Sequence, residues 1–188
     1  MSSANVVSAE PGLKHPEPSE LRSEILELIP ALRAFARSLT RDAAEADDLL
    51  QETLVKALAS IHQFRPGTNL RAWLFTIERN TFYTNYRKRR REAVSDLDET
   101  NGPSNRPEQD WTLKMRALHS AVQGLPPDQR EALMLVGGAG MSYEEAATIC
   151  NCALGTIKSR VSRARCRLLE LLEVESYEDF LDEHESWK

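Results

Sequence analysis

An all-α fold of two small helical domains joined by a flexible linker is what this chain's residue pattern predicts. Three observations carry the prediction. Apolar residues recur every three or four positions through almost the whole length, with no convincing alternating strand. A stretch from 92 to 110 breaks that periodicity with Asn-Gly-Pro, Ser-Asn and Arg-Pro. Ser142 to Leu172 reads as two short helices joined by a tight turn, the second one basic.

Residues 1–20 hold Pro, Ser and Glu but no apolar core flanked by basic residues, so they read as a disordered tail and not a signal peptide. The first domain, 21–91, opens with a stripe of Leu21, Ile25, Leu28, Leu32, Phe35 and Leu39; Pro30 inside it kinks the helix or restarts it. Asp42 and Glu45 mark the next helix start. Ala46, Leu49, Leu50, Thr53, Leu54, Ala57, Leu58 and Ile61 form its apolar face. Asp47, Asp48, Gln51 and Glu52 lie on the other face, as a partner-facing or solvated surface more than as metal ligands, since no histidine is near.

Pro66-Gly67 ends that run, and Thr68 or Asn69 caps a third helix from about Leu70 to Arg91. Trp73, Leu74, Ile77 and Thr81 face inward, while Phe82, Tyr83 and Tyr86 interleave with cations up to Arg87-Lys88-Arg89-Arg90-Arg91. Rings stack on unpaired bases and cations hold phosphate, so this helix suits single-stranded DNA; the competing reading, core packing, fits Trp73 and Phe82 better than Tyr83 and Tyr86.

The second domain, 111–172, begins near Trp111 with Leu113, Ala117, Leu118, Ala121 and Val122 as a stripe. Leu125-Pro126-Pro127-Asp128 stops that helix and starts another, running to Val136. Gly137, Gly138 and Gly140 connect it to Ser142, whose spacing to Glu145 is a capping box. Asn151 suits the left-handed turn. Ile157, Val161, Ala164, Leu168 and Leu172 then give one buried stripe, with Ser159, Ser162, Arg163 and Cys166 opposite it. Residues 173–188 form an acidic tail.

The chain carries a net charge of -5, yet five basic residues and no acid fall between Ala153 and Arg167. Residues 92–112 hold six acids against one Arg, so the charge is segregated, and its distribution decides where a polyanion docks. An ordinary helical hairpin explains the periodicity of 142–172, but not the local sign reversal or the short outward serines. Those favour a helix-turn-helix with its second helix in the major groove. No apolar run approaches a membrane span. Three cysteines, two of them as Cys150-x-Cys152, fit a reducing cytoplasm and match no common zinc spacing. No nucleophile–base pair, cofactor motif or metal set stands out, which argues against an enzyme acting on a small-molecule substrate.

Four ordered motifs resemble an extracytoplasmic-function (ECF) sigma factor. They are Asp47-Asp48-Leu49-Leu50-Gln51-Glu52, Arg71-Ala72-Trp73-Leu74-Phe75-Thr76-Ile77-Glu78-Arg79-Asn80, Leu125-Pro126-Pro127-Asp128-Gln129-Arg130-Glu131-Ala132 and Gly155-Thr156-Ile157-Lys158-Ser159-Arg160-Val161-Ser162-Arg163-Ala164-Arg165. Tyr143 to Ala147 and Cys152 to Thr156 are similar to the EcfG type, the general-stress sigma factors of alphaproteobacteria. The resemblance implies a sigma region 2 domain that binds polymerase and recognises and melts the minus-10 element. It implies a sigma region 4 domain that recognises the minus-35 element.

By the same resemblance, Asp47, Asp48, Gln51 and Glu52 face the β′ clamp of core RNA polymerase, with the β flap as a second docking site. The loop from Phe64 to Arg71 pockets a flipped minus-10 base, using Arg65, Gly67, Asn69 and Arg71, with Asn80 alongside. Arg79, Arg87 and Lys88 hold the separated strand. On the last helix Ser159, Ser162 and Arg163 reach minus-35 base edges, and Thr156, Lys158, Arg160 and Arg165 reach phosphate. Ala153 stands where many family members cap this helix with Ser, a loss of about 1 kcal/mol. The polymerase supplies the catalysis. A NepR-like anti-sigma factor would occlude the chain, and a phosphorylated PhyR-like regulator would draw it away. Two rivals remain. A sigma mimic that only sequesters an anti-sigma factor would carry a receiver domain, for which 188 residues leave no room, and would lack Lys158, Arg160, Arg163 and Arg165. A stand-alone helix-turn-helix regulator would leave the Asp47–Glu52 face without a purpose.

Overall fold

Seven α-helices and no strand make up the described residues of the computed structural model, which are 18–40, 42–65, 67–93, 113–174 and 176. In chain order they are α1 Pro18–Leu39, α2 Ala43–Ala59, α3 Leu70–Ala93, α4 Leu113–Gln123, α5 Pro127–Leu133, α6 Tyr143–Cys150 and α7 Leu154–Leu172. The expected linker and both expected tails fall almost wholly outside the described residues, as does Trp111.

The first three helices form one packed unit. A single α1 runs through Pro30, and Leu32, Phe35 and Ala36 beyond it are buried. Its last turn is closed by hydroxyls: Ser38 donates to the Phe35 carbonyl at 2.7 Å and Thr40 to that of Ala36 at 3.0 Å. These bonds occupy carbonyls that a helix end leaves without partners. Asp42 caps α2 by accepting from the Glu45 amide, as its sequence position suggests. Between Asn69 and Thr68 the cap of α3 is Asn69, whose Oδ1 accepts from the Ala72 amide at 3.0 Å. Phe35 and Phe75 meet at 5.2 Å between ring centroids and join α1 to α3.

In the second unit Pro127 occupies the first turn of α5, where a missing N–H costs nothing. The helix does not continue to Val136 as expected. It widens after Leu133 into a π-helical turn, Met134–Gly138, and Gly140 then adopts φ +66. The capping box of Ser142 and Glu145 is fully formed, Asn151 takes φ 50, and α7 follows with Ile157, Val161, Ala164 and Leu168 buried. Cys150, Cys152 and Cys166 are all free thiols.

Two expected stripes are narrower than their spacing suggested. Leu58 is 49% exposed on α2, because α1 and α3 cover only the side holding Leu49, Leu50, Thr53 and Ala57. On α4 Leu113 and Ala117 are exposed and only Ala121 is buried, since this helix packs chiefly on α7. The two units also touch. One hydrophobic cluster runs from Ile25, Phe35 and Phe75 through Leu135, Met141 and Ile149 to Val161.

Candidate nucleic-acid and polymerase interfaces

The last helix presents the cleanest surface. With its apolar stripe turned inward, Lys158, Ser162, Arg163 and Arg165 are exposed, while Thr156 and Ser159 are half-buried. Ser159 donates to the Thr156 carbonyl at 2.9 Å, a bond that binding to a base edge would have to replace. Arg160 is drawn aside: its Nε pairs with Asp128 on α5 at 3.1 Å, and its Nη1 lies 3.8 Å from Cys152 Sγ. Asn151, by turning the chain with a left-handed residue, sets this helix across α6, and Ala153 caps it without a side-chain bond.

The loop before α3 is exposed at Arg65, Gly67 and Asn69. Gly67 at φ 82 and the Thr68 hydroxyl bonded to the Arg65 carbonyl at 2.7 Å hold its turn. Phe64, buried and 5.4 Å from the Trp73 ring, anchors the loop to the helix it leads into. Arg79, Asn80, Tyr83, Thr84 and Arg87 line an open groove of ≈ 460 Å³ along α3. The Arg79 guanidinium lies over the Tyr83 ring at 4.7 Å. Tyr86 is 54% exposed and stacks on Phe82. Lys88 is exposed, 4.0 Å from Glu92.

Three residues expected to meet the minus-10 element are held by the second unit. Arg79 Nε pairs with Glu131 of α5 at 2.5 Å, and Tyr83 donates to the same carboxylate at 3.2 Å. Arg71 donates to the Ala139 carbonyl and Asn69 to Glu145. Farther along, Gln123 donates to the Arg37 carbonyl at 2.8 Å. Burial works against the Arg79 charge, but Glu131 outweighs it and keeps the guanidinium above its ordinary value. Burial, with help from Glu131, raises the Tyr83 phenol to about 12, so it donates at neutral pH. Burial likewise lifts the Cys150 thiol to about 12, which leaves it unreactive.

The acidic face of α2 divides in two. Asp48 and Gln51 are exposed. Asp47 pairs with Arg33 at 3.2 Å, and Glu52 pairs with Lys56 at 2.8 Å and accepts from Asn85 of α3 at 2.6 Å. The Lys56 and Asn85 bonds hold the Glu52 carboxyl below its usual range. Glu45 takes Arg89 from the basic end of α3. Val55 and Leu58 continue the exposed line at the spacing of Asp48 and Gln51, and sequence reasoning gave Val55 no role and put Leu58 inside. Glu131 was also missed as a site residue, because within α5 it reads as an ordinary helical glutamate. Among the described residues no group of three or more His, Cys, Asp or Glu is placed to hold a metal, and no helix is long and apolar enough to cross a membrane.

Comparison with known proteins places these surfaces in context. The family described as Sigma-70 region 2 matches residues 25–92, and Sigma-70, region 4 matches residues 115–168. The chain is 55% identical to the ECF RNA polymerase sigma factor EcfG of Rhodopseudomonas palustris over 167 residues, 88% of this chain and 92% of that one. Among solved structures it is similar to the sigma factor RpoE of Bartonella quintana in complex with the anti-sigma factor NepR, at 50% identity and TM-score 0.76, covering 84% of this chain and 99% of that one. It is also similar to CnrH in complex with the cytosolic domain of CnrY, at 27% identity and TM-score 0.62, covering 86% and 92%. The chain belongs to the extracytoplasmic-function RNA polymerase sigma factors, and within them to the EcfG type.

Proposed function

We propose that residues 21–91 of this sigma factor dock on core RNA polymerase and hold the opened minus-10 element, that 92–110 tether, and that 111–172 read the minus-35 element. The observation that carries the reading is the outer face of α7. Lys158, Ser162, Arg163 and Arg165 stand exposed on a helix whose opposite side is fully packed behind a capped turn. A rigid basic helix with short hydroxyls between its cations fits a major groove: Arg163 and Ser162 at base edges, Lys158 and Arg165 at phosphates. Thr156 and Ser159 join them once local bonds exchange, and Arg160 must leave Asp128 to reach phosphate.

On the first domain the turn at Gly67 allows close backbone approach, with Arg65, Asn69, Arg71 and Asn80 around a flipped base. Arg79, Arg87 and Lys88 take the strand along the α3 groove. Asp48 and Gln51, continued by Val55 and Leu58, offer one exposed polar-then-apolar face for the β′ clamp, with Asp47 and Glu52 at its edge. The β flap would take the second domain. The chain itself does no chemistry in this reading, needs no cofactor, and works in the cytoplasm beside the polymerase. The solved relative bound to NepR supports a NepR-like anti-sigma factor as its inhibitor, and the EcfG likeness supports general stress genes as its targets.

Run-off transcription with purified core polymerase on a promoter library tests the whole. The chain should direct initiation from defined start sites. Core polymerase plus chain that starts nowhere above core alone would refute it, and capture of a NepR-like protein without initiation would favour the mimic.

A further inference from the structure

One apolar line of the second domain is left open to solvent. At about 100° per residue, Leu113 and Ala117 lie on one side of α4, and Gly124 continues that side just past the helix end. Leu113 is 79% exposed, and Ala117 and Gly124 are exposed too. A Cβ at Gly124 would meet Leu171 Cδ1 of α7 at 3.2 Å, so Leu171, itself exposed, closes the line at that end. Small residues between two leucines leave a shallow trough about 17 Å long. Residues 113–123 hold Lys114 and Arg116 and no acid.

The chain leaves α7 at the closed end of this trough. Glu173 turns it with φ 58, and the Val174 amide donates back to the Leu169 carbonyl at 3.2 Å, which reverses the chain direction. In the sequence that follows, Tyr177, Phe180, Leu181 and Trp187 fall on one side of a helical wheel and the five acids of 177–188 on the other. Wound as a helix, 177–187 spans about 15 Å. Length, starting point and charge all match the trough. The stretch between the domains does not, since from Asp98 to Asp110 it holds no apolar side chain but Pro. We propose that residues 177–188 seat on α4 as an antiparallel amphipathic helix, their apolar stripe over Leu113, Ala117 and Leu171, and that this seat keeps five carboxylates off the reading face of α7. Leu171 and Ser162 are nine residues apart, about two and a half turns, so the trough and the outer face lie on opposite sides of α7. Released, the same acids reach the cations: Arg163 lies about 15 Å back along the helix from Glu173, and twelve extended residues span about 40 Å.

Hydrogen–deuterium exchange of the full chain, read by mass spectrometry, tests the seat. In wild type the amides of 178–187 should exchange about ten-fold or more slower than in an unstructured peptide. Leu113→Asp, at a position too exposed to upset the fold, should return them to the unstructured rate. Phe180→Ser combined with Leu181→Ser should in turn speed exchange at 117–120. Leu26→Asp, at an exposed leucine of α1, should do neither. A tail that exchanges freely in wild type, or whose protection survives L113D, overturns the seat. So does protection that rises with protein concentration, which assigns the face to a second copy. The shielding of α7 rests on the minus-35 reading, and binding of a fluorescein-labelled duplex of mixed sequence tests it. The F180S/L181S chain should bind about three-fold more weakly than wild type in low salt, and the gap should close as salt is raised. Equal binding in low salt overturns the shielding, whereas wild type that binds no duplex sinks the minus-35 reading and leaves the exchange result to judge the seat.

Discussion

Glu78 should make this protein lose stability as pH rises, and Glu78→Gln should abolish that part of the loss. The side chain is 0% exposed on α3, with Leu74 and Thr81, one turn to either side, also buried. Neither carboxylate oxygen has a hydrogen-bond partner among the described residues. Burial, with no cation to offset it, raises the group from an ordinary 4.5 to about 9. The folded chain therefore keeps a proton that the unfolded chain releases above its own pKa. For an acid raised in this way, stability is fully present below 4.5 and falls until the pH passes about 9. At about 1.36 kcal/mol per pH unit, the loss from the ordinary value to pH 7 is about 3 kcal/mol, and the whole window is about 6 kcal/mol. The glutamine keeps the size and stays neutral throughout. Urea unfolding followed by far-UV circular dichroism, repeated across that window, gives the difference between the two chains directly. The curves should meet near pH 4, separate by about 3 kcal/mol at neutrality and level off in the alkaline range. Other titrating groups are common to both chains and cancel. Parallel curves would mean that Glu78 has found a partner or water, and the reasoning would fail.

The remaining predictions address the interfaces. Arg163→Ala should cut transcription from a cognate promoter by roughly the 1–3 kcal/mol of one base-reading contact while leaving polymerase binding intact; equal loss of both would remove its assigned role. Asp48→Lys reverses a charge on the exposed face of α2 and should weaken capture by core polymerase in a pull-down, with unchanged affinity striking the face from the site. Gly155→Ala should raise stability by about 0.5–1 kcal/mol in thermal unfolding, because a Cβ there meets nothing within 4 Å in the free chain. A fall in promoter affinity from that same substitution would show that DNA lies against the start of α7.

The helical plan was legible because its signals are local. The Ser142–Glu145 box, the left-handed Asn151 and the stripe of α7 each depend on residues within one or two turns, and each formed as read, save that Leu172 at the end of the stripe is only half-buried. The same logic gave the Asp42 cap and the inward side of α3 at Leu74 and Thr81. What could not be read is whatever depends on which element lies opposite. Leu58 has helical spacing but nothing over it, and Leu113 lies beyond the part of α4 that α7 covers. Glu78 falls within the buried stripe of α3, and its period alone says buried while its chemistry says exposed. The pairing of Arg79 with Glu131 spans 52 positions, and no local rule joins them. Sequence reasoning therefore placed Arg79, Arg71 and Asn69 on a surface for DNA without seeing what else could occupy it.

That blind spot bears on how an acidic protein binds a polyanion. Several cations of α3 already have a carboxylate beside them: Arg79 holds Glu131, Arg89 holds Glu45, and Lys88 lies near Glu92. Two of these pairs, Arg89–Glu45 and Lys88–Glu92, are well exposed and contribute little to stability, so phosphate can replace their carboxylates at small cost. The buried Glu131 differs, because its release from Arg79 must be accompanied by its return to water, and that requires the domains to move apart. If a DNA strand runs along α3 as proposed, its phosphates meet low resistance at the exposed pairs and a far larger one at the buried Arg79–Glu131 pair.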